Sequence, residues 1–272
     1  MFSSFAVPSR GFIKTPVHLR SRAIRPRSTP AALVTAMASA KRVLVPIGTG
    51  SEEMEASIMV DVLRRAGVEV VVASVEDTLQ CEMSRKMKFV ADCFVKDCED
   101  GEFDMVALPG GMPGAERLRD CASLQTILKK QADAKKAYAA MCASPAVVLS
   151  PQGLLNGVAA TAHPAFSDKI EGDSVSGRVV IDGNVITSRG PGTAFEFALA
   201  MVEYLYDKEK AKEVAGPMVL HHAVQCLLWI VRCFKPQLQQ APSIPANKMF
   251  VLKSSNEQHV SSRGSLCGAF CS

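Results

Sequence analysis

Between residues 41 and 220, short apolar runs alternate with stretches of helical periodicity, and this alternation restricts the chain more than any other feature. Arg42–Ile47 (RVLVPI) reads as a buried strand. A turn follows, and 53–66 then repeats Met54, Ile58, Val62 and Leu63 at helical spacing. Gly67 stops that helix, and 68–74 is the next strand. Residues 104–108 (DMVAL) form a third buried strand that ends in Pro109, Gly110 and Gly111. Helical stretches are expected around 115–119 and 124–134. A short strand at 138–141 runs straight into Cys142. Residues 143–149 then read as a helix, with Pro145 in its first turn, where a missing N–H costs little. Later strands fall at 158–162, 178–181 and 185–187, and a final helix at 192–206. Such a pattern buries both faces of a mainly parallel sheet, and sites in these folds gather beyond the carboxyl ends of the strands. Four expected strand ends carry polar or special residues: Glu52, Glu53 and Glu55; Gly110 and Gly111; Cys142; and His163.

The two ends of the chain differ from this middle. Residues 1–40 hold six Lys or Arg and no acid, with many Ser, Pro and Ala, as organellar transit peptides do. A plastid address is expected from the Ser and Pro content, and a cytoplasmic or nuclear product if translation starts at Met37. Residues 221–272 lose the strand–helix alternation and are expected to be mostly irregular, with one amphipathic helix near 222–234. The net charge of +4 resides in these ends, because residues 41–220 carry 20 basic and 26 acidic side chains. A mildly acidic middle argues against a nucleic-acid surface. No stretch reaches the roughly 18 apolar residues of a membrane span. The nine cysteines include no CxxC, and residues 41–220 hold no Cys/His cluster with zinc spacing, so no metal or cofactor is expected.

Cys142 lies between a strand and a helix start, where free N–H groups and the helix dipole favour a thiolate and lower its pKa below about 8.5. The same N–H groups can hold an oxyanion. Position alone fits an inert core cysteine equally well. Glu52 and Glu53 read as dipole-favoured acids of a first helical turn. Glu55 falls on the apolar helix face, so its carboxyl needs a partner or a proton, and a neighbouring thiolate supplies both. His163 is the sole histidine between 19 and 220 and follows a strand; structural and catalytic roles both suit it. Gly110 and Gly111 permit close backbone approach to a ligand or simply make a turn. Arg189, in the loop TSRGPG, either offers charge to an anion or is solvated.

Taken in order, these residues resemble the DJ-1/PfpI family, and within it the DJ-1 branch. The matching stretches are 52–55 with 60–67 (VDVLRRAG), 108–111 (LPGG), 139–145 around Cys142, 161–164 around His163, and 187–197 (TSRGPGTAFEF). The resemblance covers residues 41–220 and implies a flavodoxin-like three-layer α/β sandwich, a mainly parallel sheet, a cysteine nucleophile elbow and pairing as homodimers. It places Cys142 on the reactive cysteine, Glu55 on its carboxyl partner and His163 on the nearby histidine. It places Gly110, Gly111 and Ala143 on the backbone of the oxyanion pocket, and Arg85 and Arg189 on arginines across the pocket. Family activities are glutathione-independent conversion of methylglyoxal to lactate, deglycation of early glycation adducts, and redox sensing, so small reactive carbonyls are the expected substrates.

Two departures stand out: Ser144 replaces the Gly that usually follows Cys-Ala, and plant relatives often carry two such domains in tandem. The chain resembles the first of the pair followed by a divergent tail, as a truncated or alternatively spliced product would. Protease-like relatives need His after the nucleophile, where Ala143 stands, and class I glutamine amidotransferases need a late His-x-Glu that residues 41–220 lack.

Overall fold

The structure, a computed structural model, describes residues 40–220. The expected transit peptide and divergent tail lie outside the described residues, apart from residue 40.

The chain lays down β1 (Arg42–Ile47), α1 (Glu53–Arg65), β2 (Glu69–Ser74), β3 (Gln80–Glu82), β4 (Lys88–Val90), β5 (Cys93–Phe94) and β6 (Met105–Leu108). It continues through α2 (Gly114–Asp120), α3 (Ala122–Asp133), β7 (Ala137–Met141), β8 (Ala159–Ala160), β9 (Asp173–Ser174), β10 (Val179–Asp182), β11 (Val185–Ser188), α4 (Ala194–Leu205) and α5 (Lys208–Ala215). Seven strands form one sheet in the order β10-β11-β7-β6-β1-β2-β5, parallel except for the β10–β11 hairpin. The pairs β3–β4 and β8–β9 form two small ribbons of their own.

Period-two alternation in the central strands supplies two cores, one on each face. Val43, Val45 and Ile47 of β1, Met105 and Ala107 of β6, and Ala139 and Met141 of β7 share a core with Met59, Val62 and Leu63 of α1 and Phe197 and Met201 of α4. Leu44, Val106, Leu108, Tyr138 and Ala140 turn the other way and meet Leu118 of α2 and Leu124, Ile127 and Leu128 of α3. Every β6 and β7 residue is buried, the mark of inner strands covered on both faces. The result is a three-layer sandwich whose central strands, β1, β6 and β7, end along one edge.

Two expected elements differ, and one appears that was not expected. The expected helix over 143–149 is a single π-type turn, Pro145–Leu149, leading into a 3-10 turn. Pro145 and Pro151 remove two backbone donors within seven residues, which shortens any regular α-helix there. The expected strand at 158–162 contracts to Ala159–Ala160, paired with β9 outside the main sheet. The β3–β4 hairpin was not expected: its strands are three residues each, too short for a periodic signal.

Candidate active site

The strand β7 ends at Met141, and the next residue turns sharply: Cys142 has φ +61°, the left-handed region that L side chains avoid at a cost of about 1 kcal/mol or more. Its neighbours hold it there. The Cys142 N–H donates to the Ser188 carbonyl at the end of β11 (3.0 Å), and its carbonyl accepts from the His163 N–H (2.8 Å). The Ser144 hydroxyl, fully buried, donates to the Pro109 carbonyl beyond β6. So the Ser that departs from the family pattern ties the elbow to the neighbouring strand end and keeps its hydroxyl out of the cleft.

Close approach explains the paired glycines. A Cβ on Gly110 would lie 2.5 Å from the Cys142 Cβ, and one on Gly111, whose φ is +89°, would lie 2.5 Å from the Gly50 carbonyl oxygen. The loop after β6 therefore presses its bare backbone against the cysteine on one side and the start of α1 on the other. Gly111 and Ala143 both direct backbone N–H groups at the Cys142 sulfur.

Glu55 enters from α1. Its helix starts at the N-cap Glu52, whose carboxylate accepts from the Glu55 N–H (2.8 Å). The Glu55 side chain is fully buried; Oε2 accepts from the Gly110 N–H (2.7 Å), and Oε1 is enclosed without a hydrogen bond of standard geometry. The neighbouring Cys142 thiol favours the ionised form of that carboxyl. Burial, followed by the charge of Glu52, pushes the Glu55 pKa up to about 7 against the opposing Gly110 bond. Burial and the Glu55 carboxylate push the Cys142 thiol up to about 12. The lowered thiol pKa expected from a helix N-terminus is thus corrected. Only a short π-type turn follows the cysteine, and burial outweighs the two N–H groups. Both shifts express one fact: two acids in one desolvated site share a single negative charge, and a thiolate there requires the proton on Glu55.

The thiol forms the floor of a cleft of about 380 Å³, lined by Glu52, Ser84, Arg85, Gly111, Met112, Cys142, Ala143, His163, Phe166 and Pro191. Cys142, Gly111, Ala143, His163 and Arg85 are therefore brought together as expected. Gly110 stands behind the cysteine with its N–H spent on Glu55, so it offers no donor to an oxyanion. Arg189 is not among the lining residues; its N–H donates to Thr193 Oγ1 (3.3 Å) within the loop before α4. His163 Nδ1 accepts from the Ala165 N–H (3.2 Å), which places the ring proton of the neutral form on Nε2.

Sequence reasoning passed over Glu53. Far from a solvated helix-start acid, it is buried and accepts from the Ser84 hydroxyl (2.7 Å) and the Arg85 N–H (2.6 Å). Burial opposes its ionisation, yet these bonds prevail and hold its carboxyl below the usual range. Glu53 thereby fixes the β3–β4 turn over the cleft, and with it Arg85. The only sequence signal was the run of three acids itself. Among the described residues, no group of three or more His, Cys, Asp or Glu side chains is placed to hold a metal ion.

Comparison with known proteins agrees with this geometry. The DJ-1/PfpI family profile matches residues 41–204. Protein DJ-1 homolog A of Arabidopsis thaliana is 51% identical over 174 residues, covering 64% of this chain and 44% of that protein. The chain thus spans under half the length of that plant relative. The Caenorhabditis elegans protein named glutathione-independent glyoxalase DJR-1.2 is 37% identical over 176 residues, covering 62% of this chain and 91% of that one. The solved structure of oxidized Toxoplasma gondii DJ-1 superposes with a TM-score of 0.65 at 50% identity, covering 66% of this chain and 98% of that chain. The fold is flavodoxin-like. With the family profile spanning more than half its length, the chain belongs to the DJ-1/PfpI family.

Proposed function

We propose that the protein is a cysteine-dependent, glutathione-independent glyoxalase that converts methylglyoxal to lactate and glyoxal to glycolate. The observation that carries this reading is the buried Glu55–Cys142 pair sharing one charge beneath a small open cleft. The Cys142 thiolate attacks the aldehyde carbon, and the carbonyl oxygen takes up the proton held by Glu55, giving a hemithioacetal and leaving Glu55 ionised. The Gly111 and Ala143 N–H groups hold the developing oxyanion. Glu55, with a pKa near neutrality, removes the proton from the former aldehyde carbon and a proton returns to the adjacent carbon, giving a thioester of lactate. Water cleaves the thioester, releasing lactate and the thiol. His163 serves as a hydrogen-bond donor through Nε2, because its Nδ1 is already engaged by Ala165. No cofactor enters this sequence.

Lactate formation from methylglyoxal by the full chain, with Cys142 verified as reduced, tests the reading. Cys142→Ser is expected to lower kcat/KM by roughly 10³-fold or more, and Glu55→Gln by roughly 10²-fold or more. A wild-type protein that forms no lactate would sink the proposal.

A second reading shares the same thiol: oxidation of Cys142 to a sulfinate that reports oxidative stress, with deglycation of early adducts a further use of the nucleophile. The Gly111 and Ala143 donors and a protonated Glu55 suit sulfinate oxygens as they suit an oxyanion. Mild peroxide followed by mass spectrometry is expected to place the first sulfinate on Cys142; uniform oxidation of the nine cysteines would remove this reading.

A further inference from the structure

Away from the cleft, two sulfurs touch. Cys93 on β5 and Cys98, at the end of the 3-10 turn Val95–Cys98, place their Sγ atoms 3.5 Å apart. Among the described cysteines this is the one sulfur–sulfur contact. Cys81 faces the Ser74 hydroxyl (3.4 Å), and Cys142 faces Glu55. Only four residues separate the pair, and the chain has already folded back, since β5 ends at Phe94 and the turn begins at once. A disulfide needs the sulfurs at about 2.05 Å, so each has to move by less than ~1 Å.

The surroundings permit that movement. The strand β5 is the outermost of the sheet and pairs with β2 through two registers, Ala73 with Cys93 and Ser74 with Phe94. The two thiols also differ in access: Cys93 is half-buried, whereas Cys98 is buried among Val95, Phe103 and Leu124 of the second core. A dissolved oxidant reaches Cys93 first.

We propose that Cys93 and Cys98 form a reversible intramolecular disulfide, a redox site separate from the Cys142–Glu55 pair, with low-molecular-weight disulfides as its oxidant. The Cys93 thiolate attacks one sulfur of RSSR, forming the mixed disulfide and releasing RS⁻. The Cys98 thiolate then attacks the Cys93 sulfur, forming the Cys93–Cys98 bond and releasing the second RS⁻. Two protein thiols lose two electrons and two protons, and RSSR becomes two RSH. The order follows from the site. Cys93 is the more accessible of the two, while burial, and then the neighbouring Cys93, push the Cys98 thiol up to about 12, so Cys93 reacts first and Cys98 resolves.

The test uses the full chain carrying Cys142→Ser, so that the catalytic thiol takes no part in exchange. The protein is treated with oxidised glutathione, quenched with N-ethylmaleimide under denaturing conditions and digested with trypsin. Lys96 lies between the two cysteines, so cleavage leaves two peptides joined only by the disulfide. The expected result is that linked pair, lost on treatment with dithiothreitol. Adding Cys98→Ser should leave glutathione trapped on Cys93; adding Cys93→Ser should leave Cys98 as the maleimide adduct. Accumulation of glutathionylated Cys93 with Cys98 still free in the parent protein would overturn the proposal. Linkage of either cysteine mainly to Cys81 or Cys121 would overturn it equally.

Discussion

At the scale of single residues, the Glu55–Cys142 pair sets the pH behaviour. The Glu55 carboxyl keeps its proton up to about pH 7 in the folded protein, against an ordinary value of 4.5. Below 4.5 folded and unfolded forms are both protonated and the group has no effect. Between 4.5 and 7 the unfolded chain releases a proton that the folded chain retains, so stability falls with rising pH and levels off above 7. The full loss is about 3 kcal/mol. Glu55→Gln, whose carbonyl can still accept from Gly110, is therefore expected to be more stable than wild type by about 2–3 kcal/mol at pH 8, with the advantage vanishing near pH 4.5. Urea melts across that range check this, and a constant difference would remove the titration argument. Alkylation of Cys142 by iodoacetamide is expected to rise through an inflection near pH 7, where the pair loses its first proton, and Glu55→Gln should abolish that inflection. Helical spacing placed Glu55 on the buried face correctly, although Ile58, used to define that face, is only half-buried while Ala56 and Met59 are fully inside. Spacing could not reveal the thiol's raised pKa, because the opposing burial comes from residues remote in sequence.

At the scale of elements, the elbow depends on contacts between strand ends. Ser144→Ala would leave the buried Pro109 carbonyl without its donor and is expected to cost about 1–2 kcal/mol, read as a drop in the urea midpoint with an unchanged m-value. Gly110→Ala is more severe, since the new methyl would lie 2.5 Å from the Cys142 Cβ and 3.0 Å from the Ala143 N. Loss of methylglyoxal turnover by roughly 10²-fold or more is expected even if the folded yield is preserved. Wild-type kinetics in that variant would show the close packing to be dispensable. The strands β1, β6 and β7 were readable because each is a continuous apolar run bounded by turn residues. The π-type turn after Cys142 was not, because AVVL suits an α-helix equally and its two flanking prolines act through lost donors rather than through periodicity. Arg189 lies outside the residues lining the cleft, and spacing alone could not show this, because its loop is shaped by bonds such as Thr193 Oγ1 to the Gly190 carbonyl.

At the scale of the whole molecule, the hairpin β3–β4 buries Cys81 and Met83 in the first core yet leaves apolar side chains in solvent that a second copy would cover. A two-stranded ribbon outside the main sheet is marginal in water unless something packs against it. On this one, Val90 is 70% exposed and Met87 53%, while Met54, beside the Glu53 anchor that holds the hairpin turn, is 54% exposed. The Glu53 bonds to Ser84 and Arg85 join α1 to the hairpin turn, and a homodimer of the kind the family suggests would cover exposed apolar side chains such as these. The full chain is expected to sediment as a dimer. Val90→Arg, which sets an unpaired charge into that face, should weaken dimerisation by roughly tenfold or more without changing the far-ultraviolet circular dichroism. Because Glu53 also positions Arg85 over the cleft, loss of pairing should raise KM for methylglyoxal more than it lowers kcat. A wild-type chain that remains monomeric at every accessible concentration would show that the hairpin stands without a partner.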